Sequence, residues 1–75
     1  MILTRSQFGR DLWNELQKGY DVVRISRWAY KVHVDAQSFE EGLESEILKV
    51  MVMEEGSEFE ISEAELKKLA ESLFR

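Results

Sequence analysis

The most chemically distinctive part of this sequence is the stretch VRISRWAYKVHVD, residues 23–35. Arginines paired with phosphates and aromatic rings stacked on bases are typical of surfaces that bind nucleic acids. Tryptophan and arginine are also enriched at the energetic centres of protein–protein interfaces. The stretch is therefore either a contact surface of one of these two kinds or an ordinary half-buried piece of sheet with a charged outer face, in which Trp28 caps the end of the core. Its basic and aromatic residues are Arg24, Arg27, Trp28, Tyr30 and Lys31.

Residues suited to catalysis or metal binding are scarce in this chain. It contains one histidine and no cysteine, which excludes a His/Cys metal cluster. Ser26 and His33 form a nucleophile and base only if the fold brings them together. The glutamates between positions 40 and 46 need a cleft that separates their pKa values before they can act as acid and base. The sequence therefore predicts a protein that is not an enzyme and that has no cofactor and no bound metal.

Charge is distributed unevenly along the 75 residues, whose net charge is −5. Residues 1–36 hold six bases and four acids, a balance of +2. Residues 37–75 hold four bases and eleven glutamates, a balance of −7. If the halves lie apart in space, each presents a different surface to a partner, and an acidic surface attracts a basic one. If the halves interleave, their charges cancel.

Amphipathic helices are predicted at both ends of the chain. The first covers residues 4–18, with Thr4 as its N-cap and Gly19 as its stop. The second covers residues 62–74, with Ser62 as its N-cap. Apolar residues recur at helical spacing along one side of each segment. These residues are Phe8, Leu12, Leu16, Leu66, Leu69, Ala70 and Leu73.

The residues that follow the first helix are predicted to be extended. Apolar side chains alternate with polar ones over residues 28–34, where the apolar positions are even. Val23 and Ile25 place apolar side chains at odd positions instead, so the pleat must break near Ser26 and Arg27. The break is either a bulge within one long strand or the turn of a hairpin. We favour the hairpin, because a single strand of about fourteen residues is long against the usual five or six.

The second half of the chain is predicted to contain a short helical segment and a further hairpin. The helical segment starts at Ser38. Residues 47–53 are nearly all apolar and read as a strand, residues 55–57 supply a turn, and residues 58–61 alternate as a second strand. The alternative is a helix that runs from Phe39 through Met51, since the apolar residues there also fit helical spacing.

These elements together predict one α+β domain over residues 1–75. A small antiparallel sheet of three to four strands packs against the N- and C-terminal amphipathic helices. The order is helix, two strands, short helix, two strands, helix. In a pleated segment, adjacent side chains point to opposite faces, so Tyr30 and Lys31 would lie on different faces. That geometry weakens the nucleic-acid interpretation of the opening stretch.

We expect a small acidic, non-catalytic protein-interaction module, such as an inhibitor, immunity-type or adaptor protein. The alternative is a dimeric nucleic-acid-binding regulator that uses the basic N-terminal half. The expected partner is a protein, with a nucleic acid and a second copy of the chain as alternatives. No apolar run approaches the roughly 18 residues that span a bilayer, so we expect a cytoplasmic protein without membrane contact. The candidate contact residues are Arg5, Arg10, Arg24, Arg27, Trp28 and Lys31.

Overall fold

The computed structural model describes residues 2–75, and these residues form mostly helices. Two short strands and two 3-10 turns join the α-helices. The strands pair in parallel, with Ile2 opposite Ser38 and Leu3 opposite Phe39. In chain order the described elements are β1 (Ile2–Leu3), α1 (Arg5–Gln17), α2 (Val22–Asp35), β2 (Ser38–Phe39), α3 (Leu43–Met51), 3-10 turns at Val52–Glu55 and Ser57–Phe59, and α4 (Glu63–Phe74).

Helices α1 and α4 pack against each other as an antiparallel pair. Tyr20, just after α1, donates a hydrogen bond to the carbonyl oxygen of Ile61, just before α4, at 2.8 Å. Gly9, near the start of α1, is buried against Leu73 and Phe74 at the end of α4. Because Gly9 has no side chain, the two helix backbones can approach closely at this point.

Helices α2 and α3 form the second antiparallel pair. The buried residues of α2 are Ile25, Ser26 and Ala29, and two of these are small. The Ser26 hydroxyl donates to the carbonyl oxygen of Met51 at the end of α3. This bond satisfies a buried hydroxyl that would otherwise cost about 1–3 kcal/mol of folding free energy.

One apolar core joins the two helix pairs. All four helices contribute to it, and the ring of Phe8 on α1 stacks on Trp28 of α2 with centroids 5.2 Å apart. The strand pair joins the start of the chain to the connection between α2 and α3. Next to it, Glu40 donates its backbone N–H to the Leu3 carbonyl oxygen at 2.9 Å. The buried core residues are Phe8, Leu12, Leu16, Ile25, Ala29, Leu43, Ile47, Val50, Met53, Leu66, Ala70 and Leu73.

The two terminal helices predicted from the sequence are confirmed. The Thr4 side chain accepts a hydrogen bond from the Gln7 N–H at 3.1 Å, and the Ser62 side chain accepts one from the Glu65 N–H at 3.2 Å. Both are the N-cap bonds that the spacing predicts.

The prediction of a three- to four-stranded antiparallel sheet is wrong. Residues 22–35 form the continuous helix α2, so neither a bulged strand nor a hairpin exists there. The alternation arises because two helical stripes overlap in the sequence. One stripe includes Trp28 and Val32, which pack against the core, and the other includes Tyr30 and Val34, which face water. Read together, the two stripes imitate a period of two.

The predicted second hairpin is also wrong. Residues 43–51 form α3, and the region 52–59 contains 3-10 turns instead of a hairpin. The alternative of a helix ending at Met51 is correct for its C-terminal part. Its N-terminal part is wrong, because Ser38 and Phe39 lie in β2 and Gly42 begins the helix with a φ of +83°.

We predict that Gly9→Ala destabilises the protein. In an open helix this change stabilises by about 0.5–1 kcal/mol. Here an added Cβ would lie 2.8 Å from the Ala70 carbonyl oxygen and 2.8 Å from the Leu73 Cβ. The helices must separate, and overpacking of this kind typically costs about 1–3 kcal/mol. Urea unfolding followed by circular dichroism measures the change.

The control is Asn14→Ala, which introduces an alanine on the exposed side of α1 by shortening the side chain there. We expect this variant to be as stable as the parent or slightly more stable. A Gly9→Ala protein that unfolds at or above the parent's urea midpoint would contradict the close α1–α4 packing.

Candidate interaction surface

The outer face of α2 carries a row of exposed side chains that we name the α2 stripe: Val23, Arg27, Tyr30 and Val34. Residues three and four apart are neighbours on a helix, so this 4-3-4 spacing forms one continuous line. Val23 is 45% exposed, Tyr30 58% and Val34 60%. Apolar side chains left uncovered together on one helix face are typical of interaction sites.

The stripe faces water because of how α2 packs. The opposite side of the helix presents Ile25, Ser26 and Ala29 to the core. With Ser26 bonded to the Met51 carbonyl, α2 cannot rotate about its axis without breaking a buried hydrogen bond. The stripe is therefore held in a fixed orientation toward solvent.

Acidic residues border the stripe. The Arg27 Nε lies 3.5 Å from a carboxylate oxygen of Glu54. Arg27 and Tyr30 line a shallow groove of about 350 Å³ together with Glu54 and Glu55. The basic first half and the acidic second half of the chain therefore meet at this groove, and part of the positive charge is neutralised.

Arg24, on α2, forms hydrogen bonds with the C-terminal end of α1. Its guanidinium donates to the Glu15 carboxylate at 2.7 Å and to the Glu15 carbonyl oxygen at 3.0 Å, and it also donates to the Gly19 carbonyl oxygen. Carbonyls at a helix C-terminus lack partners within the helix and carry partial negative charge. Arg24 thus neutralises that end and joins α1 to α2.

The other predicted contact residues are dispersed. The Arg5 backbone N–H donates to the Glu40 carboxylate at 2.8 Å, at the start of α1. Arg10 is exposed on α1, and Lys31 is exposed on α2. Trp28 is half-buried against Phe8. Of the six candidate residues, the exposed face of α2 brings Arg27 and Lys31 together.

The expected separation of aromatic from basic side chains is wrong. It assumed a pleated strand, whereas residues three and four apart share a helix face. Arg27, Tyr30 and Lys31 therefore lie on the same exposed side of α2. The combination of ring and cation that the opening stretch suggested is present, although Glu54 neutralises Arg27.

A second charged feature is the acidic connector, which we define as residues 52–60 between α3 and α4. It carries four glutamates around Phe59, which is 46% exposed. Glu54 pairs with Arg27. Within residues 2–75, no base forms an ion pair with Glu55, Glu58 or Glu60. The connector therefore keeps most of its negative charge.

The structure does not bring Ser26 and His33 together. They lie seven residues apart on α2, which is about 10 Å along a helix axis. Ser26 donates to the Met51 carbonyl, and the His33 Nε2 lies 2.9 Å from a Glu44 carboxylate oxygen. Among residues 2–75, no three His, Cys, Asp or Glu side chains are grouped as metal ligands.

Comparison of this chain with protein-family models, with curated proteins and with solved structures finds no match. No helix within the described residues is both long enough and apolar enough to cross a bilayer. The functional argument therefore depends on the surface geometry.

Sequence reasoning missed Val23, Tyr30 and Val34 as surface residues. The signal was present, because the 4-3-4 spacing of Val23, Arg27, Tyr30 and Val34 is that of a helical seam. It was overlooked because the buried stripe of the same helix fills the intervening positions and suggests a strand. The glutamate-rich connector, in contrast, is visible directly in the sequence.

We predict that ionisation of Tyr20 lowers the free energy of unfolding at alkaline pH. Its pKa is raised above the ordinary 10.0 by burial first, and then by the negative charges of Glu60 and Glu63. The folded state therefore retains the phenol proton more strongly than the unfolded state does. The resulting stability is fully present below about pH 10 and is lost as pH rises through the folded-state pKa.

Urea unfolding across this alkaline range measures the effect, with Tyr20→Phe as the comparison. The stability difference between parent and variant should shrink above about pH 10. Glu60→Gln removes one negative charge and should move the Tyr20 pKa back toward its ordinary value, as followed by phenolate absorbance. Parallel stability curves for parent and Tyr20→Phe over the whole range would contradict this account.

Proposed function

We propose that this protein is a small acidic, non-catalytic protein-interaction module that binds a protein partner through the α2 stripe. An inhibitor, immunity-type or adaptor protein fits this description. The observation that carries the proposal is the uncovered line of Val23, Tyr30 and Val34 on a helix that buries Ile25, Ser26 and Ala29 on its other side. Aromatic residues and arginines are the side chains that dominate binding energy at protein interfaces.

The charges beside the stripe support a partner of a particular chemistry. Glu54 and Glu55 border Arg27 and Tyr30, and the whole chain carries a net charge of −5. A partner with an apolar patch flanked by bases is complementary to this surface. Opposite charges at the rim steer the two proteins together and raise the association rate.

Self-association through the stripe is opposed by charge. Each copy carries a net charge of −5, and Glu54 and Glu55 border Arg27 and Tyr30 of the stripe. Two copies would therefore bring like charges together at the rim of the contact. We therefore favour a different protein over a second copy.

A nucleic-acid-binding regulator is the second candidate. Two features of the fold support it: α1 and α2 are joined by a short connection that contains Gly19, and the second helix exposes Arg27, Tyr30 and Lys31. Helix-turn-helix proteins have this outline and read the DNA groove with the second helix. The glutamates that line the groove beside Arg27 favour the protein partner, because they repel phosphates.

The first test compares partner capture by the parent and by a Tyr30→Ser/Val34→Ser variant. The immobilised protein is exposed to lysate at about 50 mM salt, where charge steering is strong. Enriched proteins are quantified by mass spectrometry, and each recovered partner is then measured by titration. The double variant should weaken binding at least about tenfold, because it removes two central apolar contacts.

Leu48→Ser is the matched control, since Leu48 is 44% exposed on α3 and lies outside the α2 stripe. It should bind like the parent. If no protein is enriched, or if the double variant binds as tightly as Leu48→Ser, the stripe is not the docking surface.

The second test separates the two candidate functions. We expect no binding to duplex DNA at about 50 mM salt, as measured by fluorescence anisotropy. Duplex binding that weakens steeply with salt would instead favour the regulator. In that case Arg27→Ala/Lys31→Ala should reduce the slope of log K against log salt by about 2. Lys68→Ala on α4 serves as the control for loss of an exposed charge outside α2.

A further inference from the structure

A groove of about 570 Å³ lies beside the C-terminal half of α2 and the strand β1. Its volume is within the range of about 300–1,000 Å³ typical of ligand pockets. The groove shares no residue with the α2 stripe. Its apolar walls include Leu3, Trp28, Val32 and Ala36, and its charged residues are Lys31 and Asp35.

Trp28 gives this groove a fixed aromatic wall. The indole stacks on Phe8 with ring centroids 5.2 Å apart and an angle of 16° between the planes. Phe8 is completely buried, so the core holds the indole in place. The part of the indole that Phe8 leaves uncovered lines the groove. Tryptophan is the aromatic side chain that attracts cations most strongly.

Asp35 makes one end of the groove negative. It is the last residue of α2, where the unpaired carbonyls of the final turn already carry partial negative charge. Within residues 2–75, no base forms an ion pair with Asp35. An acid at a helix C-terminus is unfavourable for the helix itself, so a cation bound there would offset this cost.

Lys31 lies one helical turn before Asp35 and opposes a cation at this site. Its side chain is exposed, and its flexible four-carbon stem lets the ammonium move into solvent. Asp35 has a short side chain and stays at the helix end. A cation bound at Asp35 would leave the Lys31 ammonium in solvent, so Lys31 would weaken such binding without blocking it.

We propose that this groove binds a lysine side chain from a partner protein. The aliphatic stem would lie along Leu3 and Val32, as lysine stems commonly cover apolar surface. The ammonium would reach Asp35 and the last carbonyls of α2, to which it can donate three hydrogen bonds. Trp28 adds the attraction of its ring for the cation. The proposal is independent of the α2 stripe.

The experiment titrates the isotope-labelled full chain with three capped peptides, followed by NMR. The peptides carry lysine, norleucine or glutamate between two leucines. The lysine peptide should shift the Trp28 indole N–H and the amides of Leu3 and Asp35. It should bind about fivefold more tightly than the norleucine peptide, as expected for a cation beside an aromatic ring and a carboxylate.

Two neutralising variants test the choice of ligand charge. Asp35→Asn should weaken binding of the lysine peptide about fivefold, and Lys31→Gln should strengthen it. Both residues are exposed, and the asparagine removes an unfavourable charge from the helix end, so unfolding does not explain a loss. Tyr30→Ser/Val34→Ser should bind the lysine peptide like the parent, which separates this groove from the α2 stripe.

Other outcomes overturn the proposal. Tighter binding of the glutamate peptide, with opposite effects of the two neutralising variants, would make the groove an anion site. Equal binding of the lysine and norleucine peptides would make it a purely apolar groove. The absence of shifts at Trp28 with all three peptides would show that it takes no such side chain.

Discussion

The fold depends on the close packing of α2 against α3 through a face of small residues. Ser26 and Ala29 leave room for the neighbouring helix, and the Ser26 hydroxyl bonds to the Met51 carbonyl inside the contact. Without that acceptor the buried hydroxyl would cost about 1–3 kcal/mol, so the bond selects one rotation of α2 about its axis. That rotation determines which side chains pack on the core and which remain in water. The α2 stripe, the groove lined by Trp28 and Asp35, and the ion pair between Arg27 and Glu54 all follow from it.

The same packing decides how the two halves of the chain share their charge. Arg24 is bonded to Glu15 within the basic half, and Arg27 is paired with Glu54 from the acidic half. Two of the candidate arginines are therefore already neutralised, Arg24 within its own half and Arg27 where the two halves meet along α2. The acidic connector extends beyond this contact and keeps its unpaired glutamates. The proposal of a basic protein partner, in preference to a phosphate backbone, rests on this apolar line and the negative rim beside it.

Capping residues and hydrophobic spacing predicted the terminal helices α1 and α4, but they did not predict α2 and α3 between them. Thr4 and Ser62 cap their helices through bonds to residues three positions later, so sequence alone contains the necessary information. The middle fails because α2 has apolar residues on two faces, and their overlap produces an alternation that resembles a strand. Gly9 shows a different limit. A glycine within a helix pattern weakens the prediction of that helix, and its role is clear only once α4 is known to lie against it. Site residues depend on such long-range contacts.

The secondary chemical shifts of the α-carbons over residues 22–35, measured by NMR on the full chain, test the central claim most directly. A continuous helix predicts positive deviations at every position of this segment, without interruption near Ser26 and Arg27. Negative deviations, or a change of sign at those two residues, would contradict the continuous helix and indicate a strand or a hairpin. In that case the α2 stripe would not exist, and the assignment of buried and exposed residues would be wrong.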